Sequence, residues 1–208
     1  MPANPGSSRP RRRQADRRAE SENRLLTAAA ELLVESGIGA ATFENIGRRA
    51  GLSRGMVTRR FGSKRGIIEA LIDHLKSKVY AAVEARHLEG VSGLDAVLAY
   101  VDAFLDSLQG DREQRAYFIL LAASVSDVSD LRIPFYDTHK ATAELLEDLL
   151  RKGVSEGSIR ASLDVKYAAL MVGSLLFGVA MQSLLDPLMD LEPLRREMVE
   201  TIRRGFAA

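Results

Sequence analysis

Apolar residues recur at helical spacing along this chain, and no segment alternates apolar and polar long enough to make a strand. Such a pattern folds as packed helices. Leu25, Ala29, Leu32 and Leu33 share one face, and Gly37 supplies a stop. Ile68, Leu71, Ile72, Leu75, Val79, Ala82 and Val83 share a second. Leu94, Val97, Leu98, Val101, Phe104, Leu105 and Leu108 form a third, opened by Ser92 with Asp95 three residues on, the spacing of a capping box. Tyr117, Leu120 and Leu121 mark a fourth. Leu145, Leu146, Leu149 and Leu150 end a longer stripe that contains Pro134, so a kink or break is expected there. Ser155 to Ser158 reads as a turn. Two further helices are expected near residues 163–185 and 191–206, separated by Asp186-Pro187. With a short pair around residues 43–61, the fold class is all-α, with about nine helices.

The residue inventory excludes much chemistry. The 208 residues suffice for one domain or two small ones. Cysteine is absent, which removes disulfides, thiolate zinc sites and thiol nucleophiles together. His74, His87 and His139 are too scattered for a spaced metal motif. Neither a G-x-x-x-x-G-K loop nor a G-x-S-x-G elbow occurs. The reading is therefore of a protein that is not an enzyme, with no cofactor and no metal. Residues 1–13 hold Pro, Gly, Ser and then Arg11, Arg12 and Arg13, with no apolar stretch behind them, so they read as a disordered basic tail and not a secretory signal. Residues 167–185 carry no charge over 19 positions, close to a membrane span, but Ser174, Gln182, Ser183 and two glycines dilute the run. A buried helix is the preferred reading, and the chain is expected to be soluble and cytoplasmic, without a membrane partner.

Charge is split along the chain. Residues 1–65 hold 14 Lys+Arg against 6 Asp+Glu, a net +8, whereas residues 66–208 hold 15 against 22, a net −7. The whole chain carries only +1, so any case for a polyanionic partner must be local. A basic front on an acidic body is the asymmetry expected when one end meets nucleic acid.

The chemistry concentrates between Thr42 and Lys64. Thr42 suits the N-cap of a short helix ending near Ala50. Gly51 can turn the chain through a left-handed conformation, Ser53 caps a second short helix ending near Phe61-Gly62, and Ser63 caps a third. Two short helices joined by a glycine turn are the layout of a helix-turn-helix. On the second helix, Val57 and Phe61 share one side and would pack on Ile46 and Ala50. Gly55, Met56 and Arg59 lie opposite, and Arg54, Thr58 and Arg60 flank the buried edge. Arg54, Gly55, Met56 and Arg59 are thus candidates for contacts to bases in the major groove, with guanine the usual arginine target. Thr42, Ser53, Thr58, Arg60 and Lys64 are candidates for phosphates. No acid falls between Asn45 and Arg65.

At these residues the sequence resembles the TetR family of bacterial transcriptional regulators. Thr42, Ile46, Ala50, Gly51, Leu52, Ser53, Gly55, Val57, Phe61, Ser63 and Lys64 match that family's pattern in register. Gly47 stands where the family commonly has alanine, Thr58 where a tyrosine often meets phosphate, and Arg60 where histidine or tyrosine is common. The match covers about the first third of the chain. Arg11, Arg12 and Arg13 could add minor-groove contacts, and a simple solubility tail reads equally well.

Three segments are expected: a basic tail at residues 1–18, a three-helix DNA-binding domain at 19–65, and a helical effector-binding and dimerisation domain at 66–208. Helix-turn-helix proteins bind two half-sites as dimers, so a two-fold interface is needed. Ala168, Ala169, Gly173, Gly178 and Ala180 are small enough for another helix to approach closely. The resemblance implies a four-helix interface from the last two helices of each subunit, entered through Gly157-Ser158-Ile159-Arg160. Ala169, Gly173, Leu176, Ala180 and Leu184 are its candidate contacts. The resemblance also implies a pocket for an apolar small-molecule effector between the middle helices. Phe104, Tyr117, Phe118, Tyr136, His139, Met171 and Phe177 could line it, though each also reads as plain core. The implied function is a repressor that binds a palindromic double-stranded DNA operator as a homodimer and is released by the effector. The competing reading is a dimeric all-helical scaffold, or an enzyme, with a basic N-terminal appendage.

Overall fold

A computed structural model of the chain describes residues 9–84, 90–110, 112–126 and 132–208. Among them run nine α-helices: α1 (Arg9–Ser36), α2 (Phe43–Ala50), α3 (Arg54–Phe61), α4 (Lys64–Glu84), α5 (Gly93–Gly110), α6 (Arg112–Ser126), α7 (Arg132–Glu156), α8 (Val165–Leu185) and α9 (Leu191–Phe206). A 3₁₀ turn at Ile38–Ala40 joins α1 to α2. The only strand-like pairing among the described residues is a single antiparallel bridge between Ile159 and Ala207. The all-α reading holds.

The chain divides into two compact units, Met1–Leu71 and Ile72–Ala208. In the first, α2 packs on both α1 and α3. Leu25, Ala29, Leu33, Ile46, Val57 and Leu71 form its buried apolar core. Thr42 Oγ1 accepts from Asn45 N at 3.2 Å and Ser53 Oγ from Met56 N at 3.2 Å, so both expected N-caps are made. Gly51 closes α2 with φ 66°, and Gly37 follows α1 with φ 74°, conformations that disfavour a side chain. The helix α1 begins earlier than expected. Residues 1–18 read as irregular, yet the described backbone is helical from Arg9. The run of Arg, Gln and Ala favours a helix, and Pro10 sits in the first turn, where its missing N–H costs nothing. The side chains of Arg11, Arg12 and Arg13 lie outside the described residues, as do those of Val79, Ala82, Val83 and the whole of His87.

In the second unit, α5 packs against α7, α8 and α9, and α8 also packs on α6 and α7. The stripe Leu94, Val97, Leu98, Val101, Leu105 and Leu108 is buried as its spacing requires. Pro134 does not break the long helix. It lies in the first turn of α7, because that helix starts at Arg132. Ser92 caps α5 by accepting from Asp95 N at 3.1 Å, but the reciprocal half of the box is absent, since the Ser92 hydroxyl instead lies 2.8 Å from Asp95 Oδ2. The carboxylate of Glu156, at the far end of α7, takes the Gly93 N–H instead. Gly93 and Gly153 let α5 and α7 cross with their backbones nearly touching; a Cβ on either would collide with its neighbour. The C-terminus is tied down by Arg160 N donating to Phe206 O at 3.0 Å.

Candidate functional site

In the first unit, α3 turns one side inward and three basic side chains outward. Val57 is fully buried, Phe61 half-buried, and Arg54, Gly55, Thr58, Arg59 and Arg60 exposed. Met56 is 40 % exposed on the same outward side. Gly55 has only Ser53 Oγ within 4 Å of where a Cβ would stand, so a broad approach to its backbone is open. Among the described residues, no carboxylate pairs with Arg54, Arg59 or Lys64. The neighbouring cations are occupied. Arg49 pairs with Glu35 at 2.7 Å and Glu31 at 3.4 Å, and its hydrogen bond to Glu35 holds its pKa above the ordinary arginine value. Arg48 donates to Asn45 Oδ1 at 3.0 Å, and Arg65 to Glu69 at 2.7 Å.

Two of the phosphate candidates are placed differently from expectation. Arg60 is ion-paired with Glu22 of α1, so its charge is already balanced within the protein. The Thr58 hydroxyl donates to Arg54 O at 3.1 Å, which spends its hydrogen on the helix backbone. Thr42 and Ser53 are better suited, because each accepts from a backbone N–H and keeps its own hydroxyl hydrogen for an outside acceptor. Lys64 is exposed at the first turn of α4, where Ser63 Oγ accepts from Gly66 N at 3.0 Å. Sequence reasoning missed Arg24, whose guanidinium caps the last carbonyl of α2 at Ala50. It also missed the reason for glycine at position 47: a Cβ there would stand 2.9 Å from Leu52 O in the turn.

In the second unit, α4, α5, α6, α7 and α8 enclose a cavity of about 460 Å³. Phe104, Tyr117, Phe118, His139 and Phe177 line it, as the sequence suggested. Phe118 ties the wall together, meeting Phe104 edge-on at 5.8 Å and Tyr117 at 5.2 Å between ring centroids. His139 lies 6.3 Å from Phe177. The His139 ring lies at the cavity wall, where burial among apolar groups disfavours its charged form and holds its pKa below the ordinary histidine value. Tyr136 and Met171 do not line the cavity; they are 67 % and 44 % exposed. Neighbours on a helix point about 100° apart, so Tyr136 is turned away from the direction of the buried Phe135, and Met171 from that of the buried Val172. Lys76 and Gln114 line the cavity and were not anticipated. Both sit at helical spacing within apolar stripes, Lys76 four after Ile72 and Gln114 three before Tyr117, and that spacing was the available signal.

The candidate dimer contacts also need correction. Ala169, Leu176 and Ala180 are 1 %, 3 % and 0 % exposed, Gly173 and Leu184 are partly buried, and Ala169, Gly173 and Leu176 help to wall the cavity. They form the inward face of α8. The outward face carries Tyr167, Met171, Leu175 and Leu185, all exposed and at helical spacing, while Leu170 is exposed at the border and also lines the cavity. By length and composition alone, α8 is also able to cross a membrane.

Residues 25–71 match the profile of the bacterial regulatory proteins of the TetR family. The HTH-type transcriptional regulator SrpR of Pseudomonas putida is 23 % identical over 173 residues, 83 % of this chain and 79 % of its own. The HTH-type transcriptional repressor KstR2 of Mycolicibacterium smegmatis is 25 % identical over 149 residues, 71 % of each chain. The fold is shared with the transcriptional regulator FadR from Bacillus subtilis, solved in complex with stearoyl-CoA, at a TM-score of 0.75 and 20 % identity, covering 88 % of this chain and 97 % of that one. A capped two-helix reader with its apolar side buried and unpaired arginines outward, matched to the family profile over those same residues, makes residues 25–71 a DNA-binding domain of the TetR type and the chain a DNA-binding transcriptional regulator.

Proposed function

We propose that this chain is a repressor that binds a two-fold symmetric operator as a homodimer and leaves it when a small molecule fills the cavity. Residues 19–65 read DNA, and residues 66–208 bind effector and partner subunit, with no catalysis of their own. The protein acts in the cytoplasm, where its operator is. The observation that carries the reading is α3, with Val57 fully buried and Arg54, Met56 and Arg59 outward beside an open Gly55 backbone. Arg59, Arg54 and Met56 contact base edges, and Thr42, Ser53 and Lys64 hold phosphates. A second copy covers the exposed apolar face of α8, because two half-sites require two readers and no other apolar face of comparable length is exposed among the described residues. The effector acts only through its different affinity for the DNA-competent and DNA-incompetent states. The relatives support this reading: one is a named repressor, and FadR, which shares the fold, holds stearoyl-CoA.

A salt series on random duplex DNA tests the DNA half. The affinity should fall steeply as salt rises, through release of counterions from the phosphates. Weak binding with no salt dependence would overturn it.

A further inference from the structure

The cavity of the second unit is walled mainly by apolar side chains, among them Phe104, Phe118, Leu121, Leu146 and Phe177, and its volume of about 460 Å³ suits a small molecule. Among the described residues no carboxylate lines it. Much of its polar lining is already committed within the protein. Lys76, Tyr100 and Tyr117 have partners there, and the Thr138 hydroxyl donates to Pro134 O at 2.9 Å. His139 adds no charge, because burial among apolar groups favours the neutral ring. Of the remaining polar lining residues, Ser174 is exposed and Thr142 half-buried, whereas Gln114 is only 5 % exposed. The Gln114 carboxamide has no hydrogen-bond partner among the described residues. A buried amide left unpaired is costly, and folded chains keep few of them without a reason. Gln114 lines the cavity, so the group that pairs with it is one that enters the cavity.

We infer that the cavity takes an uncharged, largely apolar molecule with a neutral oxygen that hydrogen-bonds the buried Gln114 carboxamide, while its apolar body lies along the aromatic wall. This rests on the proposal that the cavity is the effector site, and it names the effector's chemistry. An anion would have to draw Lys76 from its present partner, and no other fixed cation lines the wall to repay the loss of its hydration. A cation would meet no carboxylate. A plain hydrocarbon would leave the carboxamide unpaired.

Calorimetry on the full chain without DNA tests the inference with three probes of nearly one shape. They are 2-acetylnaphthalene, which carries a ketone oxygen, 2-isopropenylnaphthalene, which lacks it, and 2-naphthoate, which carries a charge. The ketone should bind at least about tenfold more tightly than the carboxylate, whose hydration is lost without return. Gln114→Met should weaken the ketone about fivefold, the size of one hydrogen bond, and leave the hydrocarbon within about twofold. Helicity by circular dichroism should be the same in parent and variant. The comparison of ketone with carboxylate needs no variant, so it decides even where Gln114→Met does not fold. A carboxylate bound as tightly as the ketone, equal losses for ketone and hydrocarbon in folded Gln114→Met, or no binding of any probe by the parent would overturn the inference. Operator affinity is read separately. A ketone bound through Gln114 without any effect on DNA would support the ligand chemistry and sink only the effector proposal.

Discussion

At the residue scale, the two outward cations of the reader should behave differently. Arg59→Ala should cost about 1–3 kcal/mol on the preferred site and relax sequence preference at the base it reads. Lys64→Ala should weaken all duplexes alike and reduce the salt slope by about one. Competition with random DNA measures both, and equal losses across sequences for the two variants would contradict the division between base and phosphate contacts. The inward and outward sides of α3 were legible in sequence because a helix of eight residues with one apolar edge has only one way to face inward. Arg60 was not legible. Its partner Glu22 is 38 residues away, and only the packing of the reader against α1 brings the two charges together.

At the element scale, helix ends and crossings carry the stability. The Glu156 carboxylate accepts from the Gly93 N–H at the start of α5 and from the Ser158 hydroxyl at 3.0 Å, and the first of these does most to hold its pKa below the ordinary carboxylate value. A carboxyl with a lowered folded pKa gives stability that is present above its unfolded value and is lost as pH falls through the folded one. Urea unfolding across an acid pH series should therefore show a loss in that range, and Glu156→Gln should flatten it. An unchanged pH profile in the variant would count against this cap. Gly153→Ala should destabilise the protein by about 1–3 kcal/mol, because the added methyl group meets Ile159 where α7 comes closest to α5. Chemical denaturation measures the loss, and a neutral or stabilised variant would show that the Ile159 side chain yields freely. The helices themselves were readable from periodicity. The glycine crossing was not, because spacing along one helix says nothing about which helix will lie against it. Pro134 misled in the same way: a proline marks a helix boundary without telling which side of it the helix occupies.

At the scale of the whole molecule, the basic front and acidic body were visible in charge alone, and the described structure divides into two compact units between Leu71 and Ile72. The orientation of α8 was not visible. That helix is apolar nearly all round, so hydrophobicity cannot tell its inward face from its outward one, and its small residues fall on both, Ala168, Ala169 and Ala180 buried and Gly178 exposed. The corrected face gives a sharper expectation. Leu175→Glu places a charge on the exposed stripe without disturbing the buried residues of the monomer. Sedimentation should then find a helical monomer where the parent is a dimer, with operator affinity lost in step. A variant that stays dimeric would move the interface elsewhere, and a parent chain that is monomeric but binds vesicles would assign the stripe to a membrane. All of this depends on a reader that recognises sequence. The most direct test selects bound fragments from a pool of random duplex DNA, with the parent chain and with Arg59→Ala. The account predicts enrichment of one motif repeated about a two-fold axis, blurred at specific positions by the variant. Recovery of unrelated fragments, or the same sharp motif from both proteins, would contradict it.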